Sequence, residues 1–482
     1  MNTDKKITKN YIYNLSYQIL VLLVPLATMP YISRVLGPDA IGAVSYAQSV
    51  VAYFTLFATM GIFTFGQREI SYSRDDRFSS SLVFWETKLL SFSASLAVLI
   101  IYLVFTGFQS DRRMYAALLF SVLSVIADVT WFFQGIEEFG KIVLRNMAAK
   151  IAGLVFVFLF VKSPDDVYKY AFSLTFFTFL GNISLWLELP KYISFVPLRE
   201  LHPFRNLPVV ISLFIPTIAI QIYTVLDKTM IGLITRENAE NGYYEQAIMI
   251  SKMALAIVTA IGAVLIPRIG YYYEHNNRDG LRELMYKAYR FVWFLGIPLC
   301  FGLIGVSGNF VAWFYGPDFS KVAGLLNVLA FLILAIGISN VTGIQYLIPT
   351  KQEKLFTKTV LIGAVVNFCL NIVLIKFYKS TGAAIASIIA EIVISIVQLY
   401  YVRGEFSGKE ILRSGTNYFI SGIIMLAVLL PLGKRLSPSV FHTFILVFTG
   451  AVIYFAVLAA LKDEFILSAK KLISEKISGG KS

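Results

Sequence analysis

Long apolar segments follow one another along this 482-residue chain, and only short polar segments separate them. An α-helix rises about 1.5 Å per residue, so about 20 apolar residues cross a bilayer core about 30 Å thick. Apolar and polar residues do not alternate here, as they would in the strands of a membrane β-barrel. The pattern therefore predicts an all-α integral membrane protein with about fourteen transmembrane helices, at 10–33, 40–66, 81–106, 114–135, 141–161, 166–188, 207–234, 241–267, 286–306, 321–344, 354–376, 380–402, 414–433 and 439–461.

The composition and the position of the charges agree with a membrane protein. Hydrophobic residues make up 57% of the chain, charged residues only 15%, and the mean hydropathy is +0.71. If the N-terminus is cytoplasmic and residues near a span end are counted with the adjacent side, we assign 26 Lys and Arg residues to the cytoplasmic side and 11 to the outer side. Five more, Lys88, Lys150, Lys228, Lys252 and Arg290, are assigned to the interior of the spans. Because positive residues accumulate on the cytoplasmic side of membrane proteins, we expect both termini to be cytoplasmic. The net charge of +13 then reflects topology, and we expect no nucleic acid partner.

One segment divides the predicted helices into two groups. Residues 190–206, called the linker below, mix prolines, aromatic residues and charges, which is typical of a segment at the membrane interface. The linker follows six predicted helices, and six more come after it. We therefore predict an N-terminal lobe at 1–189, a C-terminal lobe at 207–402, and two further helices with a basic cytoplasmic tail at 403–482.

A weak internal repeat supports this division. The second helix of each predicted lobe carries small residues at matching spacing, namely Gly42, Ala47 and Gly61 in the first and Gly242, Ala247 and Gly262 in the second. Because a repeat of six helices is even-numbered, both copies begin on the same side of the membrane. They would then be related by an axis along the membrane normal, with a central cavity between them.

Ionisable residues inside the predicted spans are the candidates for function. A charged side chain costs at least about 2.5–3.5 kcal/mol at a helix centre, so it faces a partner or a water-filled cavity. Cations that line such a cavity would suit a phosphate or diphosphate head group. We select Lys88, Lys150, Lys228, Lys252 and Arg290 for this role, together with Arg34 at the outer end of the first predicted helix.

The alternative is that these cations pair with the acidic residues of the spans as structural salt bridges. The acidic residues are Glu86, Asp128, Asp227 and Glu391. Arg290 lies near a helix end, where its side chain could instead reach the interface. We select Asp128, Asp227 and Glu391 as candidates for carrying a coupling ion, H⁺ or Na⁺, because a buried carboxylate can change its charge state with its surroundings.

Motifs for enzymatic catalysis are missing from the sequence. It contains no Gly-rich phosphate loop ending in GK[ST], no GxSxG and no HExxH. Cys300 and Cys369 lie in apolar spans, and the three histidines form no metal-binding pattern. We therefore expect a protein that is not an enzyme, with no catalytic residues, no cofactor and no metal.

Four stretches of the sequence resemble one family of membrane transporters. They lie in the first 270 residues: Arg34–Gly42 (RVLGPDAIG), Asp128–Glu137 (DVTWFFQGIE), Val225–Gly232 (VLDKTMIG), and Gly242–Ala247 (GYYEQA) followed by Pro267–Arg268. In their order and spacing they are similar to bacterial oligosaccharide flippases of the Wzx type. That family belongs to the superfamily that also contains multidrug exporters of the MATE type and the lipid II flippase, called the MOP exporter superfamily.

The resemblance implies a fold, a substrate and a location. It implies two six-helix lobes around a central cavity plus two C-terminal helices, in the bacterial plasma (inner) membrane. The implied task is to move undecaprenyl-diphosphate-linked oligosaccharides from the cytoplasmic to the outer leaflet by alternating access, for O-antigen or capsule synthesis, with a polysaccharide polymerase as a further partner. Cavities of the family are typically cationic, whereas here five cations stand against four anions inside the spans.

Two other functions remain open at this point. An ion-coupled multidrug exporter of the MATE type would need acidic residues for organic cations, but the first predicted helix has no charged residue between Lys9 and Arg34. A polytopic membrane glycosyltransferase or polymerase would need a catalytic loop, and no outer loop is long enough to form one.

Overall fold

Helices account for nearly all of the described structure. The computed structural model describes residues 3–463 and residue 465, which form seventeen α-helices and no β-strand. Nine helices in this part of the chain are long and apolar enough to cross a membrane, or ten if the bent pair Asn238–Thr259 and Val264–Glu274 counts as one span. The all-α membrane fold is therefore confirmed, while the number fourteen stays a prediction. Two of the nine, Ser16–Ser73 and Glu353–Tyr401, have 58 and 49 residues, enough for two crossings each.

The chain divides into two compact units, Met1–Gly242 and Tyr243–Ser482. The first unit includes the linker and helix α8, so it ends beyond the predicted start of the C-terminal lobe at residue 207, and the division into lobes stays a prediction. Its helices are α1 (Thr3–Thr59), α2 (Ile62–Ser73), α3 (Arg77–Phe108), α4 (Arg112–Ala127), α5 (Thr130–Gly135), α6 (Phe139–Phe160), α7 (Val167–Trp186) and α8 (Leu207–Thr235).

Helix α1 contains a break that separates the first two predicted spans. Its 57 residues include Gly37 with φ 75° and ψ 174°, a conformation that residues with a Cβ rarely adopt. Pro38 follows, and it has no N–H that would need a helical acceptor. After the break, Val44, Ala47 and Val51 pack into an apolar cluster of the first unit.

Two glycines of the sequence repeat are in close contact. A Cβ added to Gly42 would lie 1.7 Å from the carbonyl oxygen of Asn238, and one added to Gly242 would lie 2.1 Å from that of Pro38. The two backbone segments therefore touch, as helices with small residues do when they approach closely. This contact is the physical reason why these two positions require glycine.

The second unit contains an irregular turn and a second broken helix. Residues Val341–Leu347 form a π-helix, and α14 is broken at Lys379, where φ is 52°. Helices α9 and α10 are bent by 45° relative to each other. The helices are α9 (Asn238–Thr259), whose residues up to Gly242 belong to the first unit, α10 (Gly262–Glu274), α11 (Arg278–Phe314), α12 (Ser320–Leu329), α13 (Phe331–Asn340), α14 (Glu353–Tyr401), α15 (Gly408–Ser414), α16 (Thr416–Arg435) and α17 (Val440–Ala460).

The contact at Gly42 makes a testable prediction about stability. Gly42→Ala should destabilise the protein by about 1–3 kcal/mol, because the added methyl group overlaps a backbone carbonyl that cannot move without shifting its helix. Gly107→Ala is the control, since no atom lies within 4 Å of its added Cβ. Thermal unfolding of the purified protein measures both, and equal melting temperatures for the two variants would contradict the close contact.

Candidate functional site

Lys88 and Asp128 meet at a break between α4 and α5. The Lys88 ammonium group donates to the carbonyl oxygens of Ile126 (2.6 Å) and Asp128 (2.9 Å). The indole N–H of Trp186 donates to the carbonyl of Ala127 (2.8 Å). The last carbonyls of a helix have no helical partners, and here three consecutive ones receive side-chain donors. Lys88 thus stabilises the end of α4.

Asp128 stabilises the other side of the same break. Its Oδ1 accepts hydrogen bonds from the backbone N–H and the hydroxyl of Thr130, both at 2.7 Å. Thr130 is the first residue of α5, and Val129 lies between it and Asp128 as the N-cap residue. The carboxylate of Asp128 is therefore already in use, because it satisfies one of the free N–H groups at the start of α5.

A polar ladder crosses the first unit next to this break. The Arg145 guanidinium donates to Oδ1 of Asn182 (2.7 Å), and the Asn182 amide donates to the carbonyl and the hydroxyl oxygens of Ser124, both at 2.7 Å. Arg145 was not among the predicted candidates. It lies inside the predicted span 141–161, so the criterion used for the other candidates, a cation inside a predicted span, would also have selected it.

Lys150 lies on α6 and is half-buried. Within the described part of the chain, its ammonium group has no hydrogen-bond or salt-bridge partner. Arg34 lies near the break of α1, is exposed, and donates to the carbonyl of Pro30 (2.9 Å). Of these two predicted cations, Lys150 is the one whose donors the first unit leaves available to a ligand.

Asp227 and Lys228 lie on α8, where Asp227 is buried and Lys228 half-buried. The next residue, Thr229, connects α8 to α1. Its hydroxyl donates to that of Ser49 (2.9 Å) and accepts a hydrogen bond from the hydroxyl of Tyr53 (3.2 Å). The two helices therefore meet through hydroxyl groups, in contrast to the apolar face that α1 presents elsewhere in the unit.

In the second unit, Glu391 lies in a buried polar stripe of α14. Its Oε2 accepts a hydrogen bond from the hydroxyl of Ser339 on α13 (3.1 Å). One turn away, the hydroxyl of Ser395 donates to the carbonyl of Ala335 (3.1 Å). Buried polar groups are otherwise costly in a membrane span, so this stripe is a candidate site for an ion.

Arg290 and Lys252 have different surroundings in the same unit. Arg290 on α11 donates to the hydroxyl of Tyr418 (2.9 Å) and forms a salt bridge with the buried carboxylate of Asp463 (3.3 Å). Lys252 on α9 is exposed. Arg290 therefore connects α11 to α16 and to the segment after α17, and its contacts are those of a structural residue.

Comparisons with known proteins agree with this fold. A model of the polysaccharide biosynthesis protein family matches residues 7–272, and a model of the lipid II flippase MurJ matches residues 203–452. The curated "Putative O-antigen transporter" of Escherichia coli (strain K12) is 24% identical over 412 residues, which cover 84% of this chain and 99% of the relative.

Two solved structures share the fold. One is the lipid II flippase MurJ in an inward closed conformation, with a TM-score of 0.67 and 17% identity, covering 95% of this chain and 100% of that one. The other is an inward-facing multidrug resistance MATE family transporter of the MOP superfamily, with a TM-score of 0.64 and 15% identity, covering 87% and 98%. At these identities the likeness concerns the fold, and it confirms the MATE/MOP-like fold class.

The role of Lys88 can be separated from that of a ligand-binding residue by its effect on stability. Lys88→Met should lower stability by about 1–3 kcal/mol, because it leaves the partly buried carbonyls of Ile126 and Asp128 without the donor that Lys88 supplies. Lys150→Met removes the same charge from a side chain without a described partner, and should leave the melting temperature unchanged. Thermal unfolding of both variants measures this difference, and an equal loss of stability in the two variants would contradict the structural role assigned to Lys88.

Proposed function

We propose that this chain, which belongs to the polysaccharide biosynthesis protein family, is a flippase that moves lipid-linked oligosaccharides across the membrane. The observation that carries the proposal is the family match over residues 7–272, joined by the match of the lipid II flippase model over residues 203–452. The E. coli relative named for O-antigen transport extends over most of the chain. The protein would move its substrate without converting it chemically.

The finer proposal concerns the substrate, the direction and the location. The substrate would be an undecaprenyl-diphosphate-linked repeat unit, moved from the cytoplasmic to the outer leaflet of the bacterial plasma membrane by alternating access. The asymmetry of 26 to 11 positive residues supports cytoplasmic termini. A polysaccharide polymerase would receive the product on the outer side.

The diphosphate of this substrate needs positive partners, and the contacts of the predicted cations bear on which of them could supply these. Lys88, Arg290 and Arg34 donate to protein acceptors, whereas Lys150 has no hydrogen-bond or salt-bridge partner in the described part of the chain. We propose that Lys150 and Lys228 of the first unit act on the anionic head group, and Arg34 and Lys252 stay candidates from the sequence. Lys150 is the strongest candidate, because a half-buried ammonium group in a membrane helix is costly until an anion or water solvates it.

Multidrug export is the second candidate function, and the observation in its favour is the fold shared with a MATE family transporter. The fold alone does not separate the two functions, since the lipid II flippase has it as well. The family match and the E. coli relative favour the flippase, because both rest on sequence, and the family is named for polysaccharide biosynthesis and the relative for O-antigen transport. We therefore favour the flippase.

Transport also needs a driving force, and the sequence contains no ATP-binding loop. Asp128, Asp227 and Glu391 are the proposed carriers of H⁺ or Na⁺. Asp128 already accepts from the first N–H group of α5, which makes it the weakest of the three. Glu391 is buried in a membrane helix and accepts from the hydroxyl of Ser339, and a buried carboxylate there is costly unless its charge is balanced, so we propose it as the main carrier.

Charge removal tests the proposed contact with the diphosphate. Lys150→Gln and Lys228→Gln should lower transport at least about tenfold at normal membrane levels, because a hydrogen bond to a charged group contributes about 1.5–3 kcal/mol. Lys376→Gln and Lys409→Gln change exposed lysines and should have mild effects. Complementation of a flippase-null strain, with protein levels measured in parallel, gives the readout. Full polymer production by the Lys150 and Lys228 variants would overturn the proposed contact.

Ion coupling is tested at Glu391 in reconstituted vesicles with and without an imposed pH or Na⁺ gradient. The wild type should transport faster with the gradient. Glu391→Gln keeps an oxygen that can accept from Ser339, so it should fold normally yet transport equally fast in both conditions. Glu353→Gln, an exposed change at the start of the same helix, should keep the response. If the gradient leaves even the wild type unaffected, the driving force lies downstream of transport.

A further inference from the structure

The linker lies along one face of α3 and is fixed there by hydrogen bonds. The Arg77 guanidinium donates to the carbonyl of Ile193 (3.3 Å), and the hydroxyl of Ser81 accepts from the N–H of Ser194 (2.8 Å). The indole N–H of Trp85 donates to the carbonyl of Ser194 (3.0 Å). These three α3 residues are spaced four apart, so they form one stripe along the helix. The linker covers this stripe as far as Trp85.

Beyond Trp85 the same stripe of α3 is uncovered and forms one wall of a groove. Helix α7 forms the opposite wall and the end of α4 forms the floor. The groove has a volume of about 420 Å³, and its lining residues are Trp85, Lys88, Leu89, Phe92, Ile126, Ala127, Ile183 and Trp186. All of them belong to the first unit, and this volume lies within the range of about 300–1,000 Å³ that is usual for small-ligand pockets.

The polar atoms of this lining are turned away from the groove. The indole N–H groups of Trp85 and Trp186 donate to backbone carbonyls, and the Lys88 ammonium group donates to two more. What remains in the wall is hydrocarbon and aromatic surface. Phe92 and Ile183 are 45% and 42% exposed within candidate membrane spans, so the groove opens toward the lipid. An apolar chain is the ligand that such a surface fits.

Two lysines lie at the end of the groove beside the linker. Glu188 follows Trp186 closely in sequence and forms salt bridges with Lys141 and Lys191. Two cations thus stand against one carboxylate at the end of α7, and Lys191 is largely exposed. Arg77 lies two turns from Trp85 on α3, roughly 12 Å along the helix, and the carboxylate of the preceding Asp76 accepts from the backbone N–H groups of Phe78 and Ser79. The positive balance at the end of α7 complements a negatively charged head group at the membrane surface.

We propose that this groove binds one acyl chain of an anionic phospholipid, whose phosphate lies over Arg77 and Lys191. The chain fills the space between α3 and α7 next to the break that Lys88 caps, and so stabilises this corner of the first unit. The bound lipid is a resident of the adjoining leaflet and not the transported substrate. The cations of the linker select it by charge, and the aromatic walls hold its chain.

Filling the groove tests the proposal. Ile183→Trp places an indole in the groove, whereas Leu180→Trp makes the same change one turn away on α7, at a residue that is 43% exposed and does not line it. The purified proteins are mixed with phosphatidylglycerol or phosphatidylcholine and examined by native mass spectrometry and thermal unfolding. Wild type and Leu180→Trp should retain phosphatidylglycerol and melt at a higher temperature with it. Ile183→Trp should retain at least about tenfold less.

A second variant tests the head-group contact separately from the chain. Lys191→Gln should keep lipid binding but lose the preference for phosphatidylglycerol over phosphatidylcholine. Equal lipid retention by Ile183→Trp and Leu180→Trp would overturn the groove as the site. Retention of a polyprenyl phosphate in preference to phosphatidylglycerol, lost in Ile183→Trp, would assign the groove to the substrate chain and overturn the proposed occupant.

Discussion

Every backbone N–H and C=O group inside a bilayer needs a hydrogen-bond partner within the protein. The first unit depends on how this requirement is satisfied at the point where a helix ends. Between α4 and α5 three consecutive carbonyls would be left without donors. Lys88 and Trp186 supply them from two other helices, and Asp128 supplies the acceptor for α5. These contacts join α3, α4, α5 and α7 at one point, so the break acts as a packing centre of the unit.

The fold class follows from segment lengths because the bilayer imposes them, and for this reason the sequence predicts an all-helical membrane protein correctly. The break in α1 could also be predicted from the sequence, since Gly37 and Pro38 separate two apolar runs. The extent of the compact units could not be predicted in this way. The first unit continues to Gly242 through α8, whose hydroxyl contacts with α1 involve residues about 180 positions apart, such as Ser49 and Thr229.

The candidate site shows the limit of selecting residues by their position in an apolar run. Lys88, Lys150 and Arg290 satisfy this criterion equally, since each is a cation inside an apolar run. Their surroundings differ because their partners come from distant parts of the chain: carbonyls about 40 residues away for Lys88, and Asp463 for Arg290. Sequence patterns carry no record of these contacts. Arg145 satisfies the same criterion, and its amide partner on α7 became visible only in the structure.

These contacts also change the charge balance that spoke against an anionic substrate. Of the five cations and four anions assigned above to the interior of the predicted spans, Arg290 is paired with Asp463, and Lys88 faces the negative end of a helix. Glu86 accepts from the backbone of His202 beside Arg205, and Asp128 accepts from the first N–H group of α5.

Two cations of α6 donate to no carboxylate in the described part of the chain. Lys150 has no hydrogen-bond or salt-bridge partner there, and the hydrogen bonds described for Arg145 go to the neutral amides of Asn146 and Asn182. A positive charge inside a span costs free energy unless an anion or water solvates it. A diphosphate offsets such a charge and an organic cation does not, so these two residues favour the flippase over the exporter.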